Sequence, residues 1–136
     1  MKYWLVKSDP DTYSWDDLLK DKETSWDGIR NYAARNHLRD MKKGDNVLGY
    51  HSGGESSVVG FATVTKEFYP DPTTNEEAWV SVKLKAGKPL KKPVTLSGIK
   101  VNKNLKDMLL IKISRLSVMP VSVAEFEEVV RMSIEY

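Results

Sequence analysis

At 136 residues, with 40% hydrophobic and 29% charged positions, the chain has the size and balance of one domain spanning residues 1–136, with a core that needs no metal or disulfide support. It contains no cysteine, which excludes disulfides and thiolate chemistry. Net charge is only +2, yet the stretch from Lys83 to Arg115 carries ten bases and one acid, so +9 there is set against −7 elsewhere.

The elements read in chain order as follows. Tyr3 to Lys7 is a short apolar, β-type run, a central strand stopped by Ser8-Asp9-Pro10. Its apolar length is far below a signal h-region, and no segment approaches a membrane span, so a soluble, cytoplasmic protein is expected; a monomer is the separate expectation for its assembly. Ser14-Trp15-Asp16-Asp17 has the form of a capping box and opens a short helix through Leu18 and Leu19. Asp27-Gly28 marks a turn, and a second helix is expected from Asn31 to about Met41, with Gly44 as its stop. Asn46 to His51 and Val58 to Tyr69 read as strands, with Gly60 a bulge or close-approach position. Ala78 to Lys85 alternates as a strand, after which Pro89 and Pro93 predict irregular structure. A helical turn is expected near Leu105 to Leu109 and a further strand over Leu110 to Ser114. Ser122 with Glu125 repeats the capping box before a helix whose apolar stripe is Phe126, Val129 and Val130. Strands dominate, so an α+β fold with a curled or barrel-like sheet and peripheral helices is predicted.

The most informative stretch is residues 26–39, where fourteen positions hold Trp26, Tyr32, three arginines (Arg30, Arg35, Arg39) and two asparagines (Asn31, Asn36). Aromatics stack, arginine reads acceptors in a fork, and asparagine offers donor and acceptor together, so the set suits a flat, polar ligand such as a nucleobase. The basic block (Lys83, Lys85, Lys88, Lys91, Lys92 and Arg115 among its members) reads either as a phosphate-backbone contact or as a solvated lysine-rich surface.

Signatures of catalysis are thin. Only His37 and His51 are present, with no ligand spacing for a metal, and no cofactor is implied. No nucleophile elbow, Walker loop or dinucleotide fingerprint occurs. One arrangement stays open: His51, Ser52 and a carboxylate such as Asp71 brought together by folding to act on a modified nucleotide.

Several blocks resemble the EVE domain. They are Tyr3 to Pro10, Tyr13-Ser14, Trp26 to Arg39, Gly44 to Ser52, Tyr69 to Thr73, Trp79-Val80 and Ser114 to Val121, in order from end to end. The resemblance implies a PUA-like fold, a curved, barrel-like mixed sheet with flanking short helices. It implies a reader of modified nucleic acid, DNA or RNA, with 5-methylcytosine and its oxidised forms as candidate ligands. Carried over by motif, the pocket wall comprises Lys7, Ser8, Trp26, Arg30, Asn31, Tyr32, Arg35, Asn36, Tyr50, His51 and Ser52, with Tyr69 and Asp71 at the mouth. Arg39 and the basic block would hold phosphates. Where relatives commonly carry Glu, Gln and a polar residue, this chain has Asp9, Ala33 and Ile113. Shape recognition of a structural RNA without a flipped base is the alternative binding mode.

Overall fold

A computed structural model describes residues 1–134. Six strands, β1 (Tyr3–Ser8), β2 (Glu23–Trp26), β3 (Asn46–His51), β4 (Ser57–Pro70), β5 (Val80–Thr95) and β6 (Val118–Val121), form one mixed sheet in the order β2-β5-β4-β3-β1-β6. β1 and β3 run parallel, and every other neighbouring pair is antiparallel. The sheet does not close: β2 and β6 are its edges. Helices α1 (Trp15–Asp21), α2 (Tyr32–Asp40), α3 (Leu96–Val101), α4 (Leu109–Lys112) and α5 (Val123–Ile134) flank it, with a 3-10 turn at Lys103–Leu105. The α+β expectation holds, with an open sheet in place of a barrel.

Local signals account for much of this. The Ser14 hydroxyl accepts from the Asp17 amide while the Asp17 carboxylate accepts from the Ser14 amide, so the first capping box forms as written. Ser122 and Glu125 do the same ahead of α5. Between the layers lie Leu5, Leu38, Leu48, Val58, Val82 and Leu84, all fully buried. Parallel register pairs Lys7 with Tyr50 and Ser8 with His51, which fixes where the two central strands end together.

Two expectations fail, each for a physical reason. β5 does not break at Pro89 and Pro93 but runs on to Thr95. β2 pairs β5 only as far as Lys85, so beyond it one edge of β5 carries no partner strand and a missing N–H costs nothing there. Pro89 also faces Gly60 across a register shift in β4. Residues 110–114 are not a strand, because Leu109–Lys112 makes a single helical turn that buries Leu110. Short apolar runs carry too little periodicity to separate the two. The strand in that region is instead β6, whose Pro120 is tolerated because β6 is an edge.

Candidate functional site

β1 ends at Ser8, where Lys7, Ser8 and Asp9 meet Thr12 and Tyr13 of the following loop. Opposite them stand Thr24, Ser25 and Trp26 of β2, then Asp27 and Ile29. Together these line an open cleft of about 450 Å3, within the range of about 300–1,000 Å3 usual for small-molecule sites. Behind it lies an apolar recess of about 20 Å3 that shares Ser8, Tyr13 and Trp26 with the cleft and is floored by Trp15, Gly49 and Tyr50.

The recess exists because Trp15 lies flat on the sheet. Glycines at 49 and 60 leave bare backbone beneath the indole, and a Cβ on Gly60 would stand 2.1 Å from Trp15 Cε2. The Trp15 amide donates to His51 Nε2 at 2.9 Å, tying α1 to the end of β3. The Ser8 hydroxyl donates to the Tyr13 carbonyl, and the Ser52 amide donates to the Ser8 carbonyl. Tyr13 meets Trp26 edge-on, with centroids 6.2 Å apart and planes at 79°. Trp26 is half-buried, packed on the core yet bordering the cleft.

Electrostatics at the cleft are unevenly settled. Lys7 Nζ donates to the Ser114 carbonyl at 2.8 Å, and burial pulls its ammonium below the usual range. The Tyr13 hydroxyl donates to Asp21 at 2.8 Å, and burial pushes that phenol up. Burial, and then the charge of Asp71, push the Asp27 carboxyl up.

A second cluster sits beyond the Asp27-Gly28 turn. Asp71 is buried and accepts from the Gly28 amide (2.9 Å), Arg30 Nη1 (2.9 Å), and the Thr73 amide and hydroxyl (2.7 and 2.6 Å). Burial alone would raise its carboxyl, but the Thr73 hydroxyl, Arg30 and the two amides hold it far below the ordinary carboxylate range. Arg30 lies over the Trp79 ring, Trp79 packs on Tyr32 at 4.9 Å, and Arg35 lies over Tyr32 at 5.0 Å. This ladder holds the Gly28–Asp40 segment against the loop after β4, with Arg35 Nη1 also donating to the Ala78 carbonyl.

The predicted wall therefore divides. Lys7, Ser8 and Trp26 border the cleft, while Tyr50 and His51 border the recess. Tyr50 is only 4% exposed and packs as core, which leaves it no open face for stacking. Asn31 caps α2, its Oδ1 accepting from the Ala34 amide at 2.9 Å. Asn36 Oδ1 accepts from Arg35 Nε and Nη2, and Ala33 is exposed on α2. Arg30, Tyr32, Arg35, Asn36 and Asp71 belong to the ladder and do not line the cleft. Tyr69 bonds the Ser25 hydroxyl from outside it. Ser52 is exposed, His51 Nε2 is occupied by Trp15, and Asp71 is enclosed by its four donors, so no hydrogen-bonded His51–Ser52–Asp71 triad forms. Among the described residues no cluster of three metal-ligating side chains occurs.

The basic residues spread over the surface. Arg115 follows Ser114, whose carbonyl accepts from Lys7 at the end of β1. Lys83 and Lys85 pair with Ser25 and Glu23 across β2–β5, whereas Lys88, Lys91 and Lys92 lie farther along β5. Arg39 lies over Phe68. The pocket wall expected from sequence leaves out Tyr13, Trp15, Thr24 and Asp27, which line the cleft or the recess. The Tyr13-Ser14 pair and the Asp27-Gly28 turn carried the available signal.

The EVE domain model matches residues 2–132. Human thymocyte nuclear protein 1 is 32% identical over 96% of this chain and 73% of its own length. Among solved structures, human THYN1 in complex with 5-methylcytosine-containing DNA superposes with a TM-score of 0.93 at 30% identity, covering 100% of this chain and 99% of that one. A Rhodopseudomonas palustris protein, Rpa0253, gives 0.93 at 43% identity, covering 100% and 97%. With the family model spanning nearly every residue that builds the sheet, the cleft and the ladder, this chain belongs to the EVE domain family.

Proposed function

We propose that this protein reads modified cytosine in DNA, taking the altered base out of its stack and into the cleft between β1 and β2. The observation that carries this reading is an open, half-polar cleft flanked by a half-buried indole and backed by a recess of about 20 Å3, the scale of one methyl group. The human relative captured with 5-methylcytosine-containing DNA supports the choice of ligand.

Extruding a base costs a few kcal/mol, and stacking against an aromatic side chain returns about 1–3 kcal/mol. Trp26 supplies that face, with Tyr13 braced edge-on behind it. The methyl group in the recess adds about 1 kcal/mol, roughly a fivefold preference over plain cytosine. Phosphate contacts from Arg115 and its basic neighbours then supply most of the affinity. A DNA reader works where DNA is, and the vertebrate relatives are nuclear proteins by name, so the cytoplasmic expectation gives way to whichever compartment holds DNA.

Calorimetric titration with duplexes that differ in one 5-methylcytosine tests the reading. The wild type should favour the methylated duplex about fivefold. Trp26→Ala should weaken both complexes by about 5- to 150-fold and erase the preference. Undiminished preference in Trp26→Ala would remove the cleft from recognition, and equal binding of modified and plain strands would favour shape recognition instead.

A further inference from the structure

The geometry points to Asp27 as the residue that reads the 4-amino group of the cleft's pyrimidine and rejects a 4-carbonyl. The inference rests on the reader proposal above and deepens it from a methyl preference to a base identity.

The polar groups lining the cleft are mostly committed to the protein. Lys7 donates to Ser114, the Ser8 hydroxyl to Tyr13, and Ser25 is paired with Tyr69. Asp9 Oδ1 accepts from the Asp11 amide, and the Tyr13 hydroxyl is engaged by Asp21. Asp27 differs. Among the described residues no hydrogen bond from another residue reaches its carboxyl, which lines the cleft. Arg30, the cation nearest in sequence, is drawn away into the Asp71 ion pair. A partly desolvated carboxylate left with acceptor capacity facing a cleft calls for an N–H donor from the ligand.

Its position is fixed. Gly28, with φ +78, turns the chain directly after it, and the Gly28 amide is anchored on the buried Asp71. The preceding residue, Trp26, borders both cleft and recess. C4 is one of the two ring positions beside C5, and in the proposed pose a pyrimidine stacked on Trp26 with its C5 substituent in the recess sets C4 against the residue that follows. There a cytosine presents an amino donor and a thymine or uracil presents a carbonyl acceptor. The carboxylate accepts from the first in a charge-assisted bond and repels the second.

Four probes separate methyl from amino recognition: one duplex sequence with cytosine, 5-methylcytosine, uracil or thymine at the target, each opposite an abasic site so that pairing costs cancel. The wild type should bind 5-methylcytosine about tenfold more tightly than thymine, since both carry the methyl group. In Asp27→Asn the amide can turn either atom toward position 4, so that ratio should fall close to one. The ratio of 5-methylcytosine to cytosine should persist in the same variant. Asp27→Ser, which removes the carboxylate with a smaller side chain, should also lose the amino preference, and thermal melts of both variants report folding. A wild-type protein blind to thymine against 5-methylcytosine, or an Asp27→Asn variant that keeps the discrimination, overturns the assignment while leaving a Trp26-dependent methyl preference intact. Loss of the methyl preference itself in the wild type would instead bring down the reader proposal and this inference together.

Discussion

Replacing Gly60 with alanine probes the base of the recess directly. A Cβ there would lie 2.1, 2.4 and 2.6 Å from Cε2, Cζ2 and Nε1 of Trp15, whereas carbon atoms rest at about 3.5–4.0 Å. The indole must therefore move by about 1.5 Å. It has little room to do so, because Gly49 on β3 supports its other edge, where a Cβ would also stand 2.9 Å away. Overpacking a core costs about 1–3 kcal/mol, and expelling a tryptophan about 3–5 kcal/mol, so about 3 kcal/mol is expected. For a chain of this length that is a fall in Tm of about 10 °C.

Thermal unfolding followed by circular dichroism measures the fall, and the same substitution in a Trp15→Leu background tests the cause. With the indole gone, Gly60→Ala should cost below about 0.5 kcal/mol, a strong departure from additivity. At a temperature well below both transitions, the displaced indole should also fill the recess and abolish preference for the methylated duplex while non-specific affinity survives. A Gly60→Ala variant that melts with the wild type, or one equally damaged in both backgrounds, would refute the claim that the indole rests on that glycine.

Arg115→Glu should weaken binding to methylated and plain duplexes alike and lower the slope of log K against log salt by at least about one, a larger change than Lys91→Glu farther along β5. Asp71→Asn should lower stability by about 2 kcal/mol in a chemical melt, because it breaks the pair with a partly exposed Arg30 and the support of Gly28. Glu128 has its carboxyl depressed to about 2 by Arg131 and then Asn102. A depressed carboxylate stabilises the fold above its unfolded value and loses that contribution as pH falls through the folded one. Melts between pH 5 and pH 2 should therefore show Glu128→Gln losing less Tm than the wild type over that window.

What the sequence made legible was local. Capping boxes name their own partners, so α1 and α5 could be placed from Ser14 with Asp17 and Ser122 with Glu125. β3 was bounded to the residue because an apolar run lies between Gly44-Asp45 and Ser52-Gly53-Gly54. β2 was missed because Glu-Thr-Ser-Trp has no alternation of its own; its partners in β5 impose the strand. The prolines of β5 misled because their cost depends on whether a neighbouring strand needs their N–H, which sequence does not state. In the site, Trp26 stood out by residue type alone. Tyr50 is also aromatic, yet its neighbours in the sheet bury it.

The Trp26–Arg39 block illustrates why composition marks a stretch of chain without saying which of its side chains border the cleft. Read as a string, its Trp, Arg, Asn and Tyr form one polar-aromatic wall. Folding cuts it at Gly28, whose positive φ turns the chain so that Trp26 and Asp27 face the cleft while Arg30 and Tyr32 turn to Trp79, more than forty residues away in sequence, and Arg35 lies over Tyr32. The second half then serves the first. Asp71 binds the Gly28 amide with one oxygen and is neutralised by Arg30 through that same atom, so the turn presenting Trp26 and Asp27 is held by a buried charge it does not display. Pairing Arg30 with Asp71, on the ladder, leaves Asp27 as the acid of this turn without an ion pair.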